Sequence, residues 1–70
     1  MAVTEIIFQA MEDPEGGYEA HALGYLIYTE SESLEELHTL VRDAVECHFE
    51  PEARPSVIRL HFVRDDMITV

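Results

Sequence analysis

Along VTEIIFQAM, residues 3–11, Ile6, Phe8 and Ala10 alternate with Glu5, Ile7, Gln9 and Met11. Successive side chains of a strand point to opposite faces, so this spacing predicts a β-strand with one face buried. A second alternation follows, in which Tyr18, Ala20 and Ala22 are interleaved with Glu19 and His21. Gly24 marks a bend, and the apolar run YLIYT at 25–29 reads as a third strand bounded by the polar ESES. Short connections make these three an antiparallel meander. The period then changes. Leu34, Leu37, Val41, Ala44, Val45 and His48 recur at helical spacing, with Leu40 widening the stripe, which predicts an amphipathic helix lying on the sheet. Ser33-Leu34-Glu35-Glu36 is a capping box that starts it, and Pro51 and Pro55 bracket the exit loop EPEARP. Alternation resumes in SVIRLHFVR, with Ile58, Leu60 and Phe62 on the face that matches the first strand's buried one. Asp65-Asp66 can turn the chain, and MITV is expected as a short fifth strand or an edge that pairs with another subunit. The predicted fold is a single α+β domain over residues 1–70, in the order β-β-β-α-β.

DPEGGY, residues 13–18, admits two readings, since paired glycines either expose backbone N–H groups to a phosphate or close a hairpin. A phosphate loop runs into a helix N-terminus, whereas Tyr18 begins a strand, and Glu12, Asp13 and Glu15 would repel an anion. The hairpin reading follows: Asp13 starts the turn, Pro14 fits its second position and Gly16 takes a positive φ.

A 70-residue chain buries a modest share of its surface, and with one cysteine it has neither an internal disulfide nor a zinc framework. Self-association is the expected supplement. Fifteen acidic residues against four arginines and no lysine give a net charge of -11, which argues against nucleic acid and for a basic protein partner. The opening MAVTEIIF has no basic leader region and no apolar run approaches a membrane span, so a soluble cytoplasmic protein is expected.

Candidate chemistry is sparse. The helical histidines His38 and His48 are ten residues apart, Cys47 and His48 are adjacent and diverge by about 100° around a helix, and His21 and His61 would stand about 10 Å apart if the first strand lies between theirs. No metal ligand set results. His48, on the helix's apolar face near its C-terminus, reads as a core histidine, and Cys47 as a small packed residue. Glu35, Asp43, Glu46 and Glu50 could be imagined as a two-metal hydrolase cluster, but a charged outer face is what any amphipathic helix shows. Neither catalytic residues nor a cofactor are expected.

The order of elements, taken with DPEGGYEAHALG and SLEELHTLVRDAVECHFE, resembles the N-terminal domain of HicB-type antitoxins. Gly17, Tyr18, Ala20, Gly24, Ser33, Leu34, Glu36, Ala44 and Val45 match that family's pattern of a glycine hairpin, Tyr-x-Ala, and a Thr/Ser-Leu-x-Glu helix, over roughly residues 4–50. The resemblance implies a reduced ribonuclease H-type fold without catalytic acids, which binds and blocks a small basic HicA-type RNA-cleaving toxin. Full-length members add a C-terminal DNA-binding segment. This chain departs from them in having HALG in place of the proline-rich loop and in reaching Val70 without such a segment, so repressor function is not expected.

The leading expectation is therefore a non-enzymatic, self-associating antitoxin-type binding module; the alternative is a stand-alone homo-oligomer with a regulatory or scaffolding role and no toxin. The outward residues of the last strand, Val57, Arg59, His61 and Val63, with Ile7 and Met11 beside them, form the candidate self-association face. They carry too much apolar surface for a sheet face open to water.

Overall fold

The computed structural model describes residues 5–64 and 66–70. Four strands and one long helix follow in the expected order: β1 (Glu5–Glu12), β2 (Tyr18–Ala22), β3 (Tyr28–Ser31), α1 (Leu34–His48), a single 3-10 turn (Pro51–Ala53) and β4 (Val57–Val63). The sheet order is β3-β2-β1-β4, with β1 antiparallel to β2, β2 antiparallel to β3, and β1 parallel to β4. The predicted strand residues 3 and 4 lie outside the described residues, as does Asp65 of the predicted turn.

The connections are set by local chemistry. In the β1–β2 loop the Gly16 N–H donates to the Asp13 carbonyl at 2.9 Å, the Asp13 N–H to the Gly17 carbonyl at 2.9 Å, and the Glu15 N–H to Asp13 Oδ1 at 2.9 Å. Gly16 and Gly17 take φ of 103° and 90°, a region closed to most side chains, so the run DPEGGY forms a hairpin turn. Ser33 caps α1, its Oγ accepting from the Glu36 N–H at 3.1 Å.

The core forms where the inner faces coincide. Ile6, Phe8 and Ala10 of β1, Ala20 and Ala22 of β2, Ile27, and Leu37, Val41 and Val45 of α1 are buried together. Ala10 pairs with Ala20 across the strands, so the middle of the sheet carries short side chains beneath the helix, and Phe8 fills the space beside them. The helix lies over the β2–β3 side. As a result Ile58 and Leu60 of β4 are only half-buried, and Phe62 is 45% exposed.

Four expectations are corrected. The third strand lies at Tyr28–Ser31 and not at 25–29: Tyr25, Leu26 and Ile27 form the connection, in which Ile27 turns into the core and Leu26 points wholly into solvent. His48 is exposed rather than a core residue; its ring rests edge-on against Tyr25 and Phe49 at centroid distances of 5.8 and 4.9 Å. Cys47 is likewise exposed instead of packed. Residues 67–70 form no strand, and Met67, Ile68 and Val70 are exposed.

Candidate protein-interaction surfaces

With α1 on one face, the other face of the sheet has no covering layer among the described residues. Strand alternation and register fix what it presents. Arg59 stands beside Ile7, His61 beside Gln9, Val63 beside Met11, and Val57 beside Glu5. All six residues of the candidate self-association face, Ile7, Met11, Val57, Arg59, His61 and Val63, therefore lie on the helix-free side of the two neighbouring strands β1 and β4. Arg59 Nε donates to Glu5 Oε1 within this face. The face continues onto β2 and β3, where His21 stands between Gln9 and Tyr28, and Glu19 between Met11 and Glu30.

His21 and His61 flank Gln9 in one row, two strand spacings or about 10 Å apart, too far to share an ion. Among the described residues no three His, Cys, Asp or Glu side chains converge as metal ligands. Glu35, Asp43, Glu46 and Glu50 are all exposed, spread along or just beyond α1.

Tyr28 organises the acidic side of this face. Its hydroxyl donates to Glu19 Oε2 at 2.9 Å and reaches Glu30 Oε2 at 3.4 Å. The hydrogen bond to Glu19, helped by desolvation and by the negative charges of both carboxylates, raises the phenol from 10.0 to about 12. A raised folded value means that the bond's contribution is complete below pH 10.0 and is lost as pH rises through about 12. Subtracting the ultraviolet titration of Tyr28→Phe from that of the wild type should isolate a phenol ionising near 12, and Glu19→Gln should move it towards 10.0. An unmoved ionisation in Glu19→Gln would mean that the bond is not formed in solution.

Charge is unevenly spread. Residues 1–41 hold nine of the fifteen acidic side chains and no arginine or lysine, whereas residues 42–64 hold four acids and all four arginines. Four of these acids, Asp13, Glu30, Glu32 and Glu36, border a hollow of about 260 Å³ where the β1–β2 turn, the end of β3 and the start of α1 meet. At the opposite edge, an apolar groove of about 420 Å³ runs between α1 and β4, lined by His38, Val41, Arg42, Ile58, Leu60 and Phe62. The groove has no signature in the sequence, because it arises from where the helix sits. The exposed Leu26 was likewise hidden, inside a run that reads as a strand.

No family model matches the chain. Among curated proteins it is similar to a UPF0150 protein of Thermotoga maritima, 41% identical over 66 residues that cover 94% of this chain and 93% of that protein. It is also similar to a UPF0150 protein of Archaeoglobus fulgidus, 53% identical over 47 residues covering 67% of this chain and 71% of the other. No solved structure matches. No helix among the described residues is long and apolar enough to cross a membrane.

Proposed function

The chain belongs to the UPF0150 protein family, and on that premise we propose that it is a non-enzymatic, cytoplasmic protein-binding module of the HicB antitoxin type. It associates with itself and engages a small basic partner, an RNA-cleaving toxin of the HicA type. The observation that carries this reading is the polarity of the fold. A hollow bordered by Asp13, Glu30, Glu32 and Glu36 gathers carboxylates, with no arginine or lysine in residues 1–41, and the open sheet face carries Ile7, Met11, Val57 and Val63 on its β1–β4 half. A cationic RNA-binding surface is matched in sign by the first, and matched charges speed encounter and exclude wrong partners. The second suits a copy of the same chain, since open apolar sheet faces mark association sites.

The deciding experiment is RNA cleavage by a small basic RNA-cleaving protein of the HicA type, sought first beside the gene and by co-purification with the tagged chain. Adding this chain should abolish cleavage, and Glu30→Lys combined with Glu32→Lys should restore it, while raised salt weakens the complex. Self-association is read separately by light scattering: Ile7→Asp or Val63→Asp should lower the mass. Full-rate cleavage at saturating chain would overturn the toxin reading and leave a stand-alone homo-oligomer; an unchanged mass in both variants would remove the open face as its contact.

A further inference from the structure

We infer that a second copy of this chain adds to the free edge of β4, the two β4 strands pairing antiparallel so that the sheets of two protomers become one. The inference rests on the self-association reading and gives it a contact distinct from the open sheet face. The sheet has two edges, and they are built differently. β3 is four residues long, carries Glu30 and is followed directly by Glu32, which are features that block edge pairing. β4 is seven residues long, contains no proline, lysine or carboxylate, and bonds only to β1. Alternate N–H and C=O groups of such a strand point away from its single neighbour and can pair with another chain.

Side chains at this edge favour the same occupant. Because α1 sits over β2 and β3, the inner face of β4 is not sealed, and Ile58, Leu60 and Phe62 floor the groove beside Val41. Their symmetry about Leu60 is what a two-fold axis requires. With Leu60 opposite its own copy, Ile58 of one chain meets Phe62 of the other, and each Phe62 covers the neighbour's groove floor. Charge selects this edge too. A chain of net charge -11 repels its copy over most of its surface, but all four arginines lie between residues 42 and 64, in numbers equal to the acids there. Arg42 borders the groove and Arg59 lies on β4 itself. The charge balance along this edge thus permits two copies to approach.

Paired Cα atoms in an antiparallel ladder lie about 4.5–5.5 Å apart, within disulfide range, so the pairing can be trapped. In a Cys47→Ser background, Leu60→Cys should link to itself under mild oxidation. Separately purified Arg59→Cys and His61→Cys, both at exposed positions, should link to each other on mixing several-fold more than either links alone. Thr39→Cys on α1 sets the level of random collision. The same yields are expected after adding Ile7→Asp, since the edge contact does not use the open face. Linkage no higher than that of Thr39→Cys in a chain that light scattering finds oligomeric would overturn the edge pairing and leave self-association standing. The same result in a monomeric chain would overturn both.

Discussion

Phe8→Ala is expected to leave most of the protein unfolded at room temperature. Phe8 is fully buried in β1, the strand flanked on both sides, where it stands between Leu60 of β4 and Ala22 of β2. Removing a buried phenylalanine costs about 3–5 kcal/mol when the surroundings cannot close over the cavity. They cannot do so here. Several neighbours are already alanines, at 10, 20 and 22, whose side chains cannot extend into the space, and Leu60 on β4 cannot fill it alone. Stability of roughly 0.05–0.15 kcal/mol per residue leaves a domain of this size with a total of the same order as the loss. Urea unfolding followed by circular dichroism reads the result: the wild type gives a cooperative transition, and the variant begins within or beyond it. A variant losing less than about 1.5 kcal/mol would mean that helix and sheet collapse onto the gap, and the account of a core spaced by alanines would fail.

Gly17→Ala carries the second large effect, and Gly16→Ala is its control. Both glycines have positive φ, which costs an L-residue about 1–2 kcal/mol. At Gly16 a Cβ would meet nothing within 4 Å, so strain is the whole of the penalty. At Gly17 it would lie 2.7 Å from the Ser31 carbonyl oxygen, a backbone atom at the end of β3 that cannot rotate away. The hairpin and the third strand must then separate, and the loss should exceed that of Gly16→Ala by about 1–3 kcal/mol, the scale of backbone strain forced by packing. Equal losses in the two variants, measured by the same urea transitions, would show that the turn yields without disturbing β3. The acidic hollow adds a second readout, because Gly16 borders it together with Glu30 and Glu32.

Much of the fold was legible because local signals agreed with one another. The alternation around Ile6, Phe8 and Ala10, the cap at Ser33 and the turn at Asp13 each specify an element from a few residues. The third strand was misplaced for a physical reason. The run Tyr25-Leu26-Ile27 has strand-like composition, but composition measures suitability for a half-buried pleat, and only Ile27 finds a buried place. The polar Glu30 and Ser31, which look like loop, are held in the ladder by pairing with Glu19 and Tyr18. His48 shares the spacing of the buried helix positions yet is exposed, since spacing tells which side a residue occupies and not how completely its neighbours cover it. The six residues of the candidate face share one side of the sheet, as alternation alone required, while the groove under Phe62 depends on where α1 rests across the strands, a tertiary matter that no local pattern encodes.

The parallel pairing of β1 with β4 also bears on how the protein is made. Glu5 lies beside Val57 and Met11 beside Val63, so β1 gains its second neighbour only once the later strand β4 has been made. Until then the nascent meander has an unsatisfied flank on its central ribbon, and closure over so long a stretch of chain is slow compared with forming the helix. The sheet is thus completed by a stitching step that draws β4 back to β1, and any agent that captures β1 before then competes directly with completion of the domain.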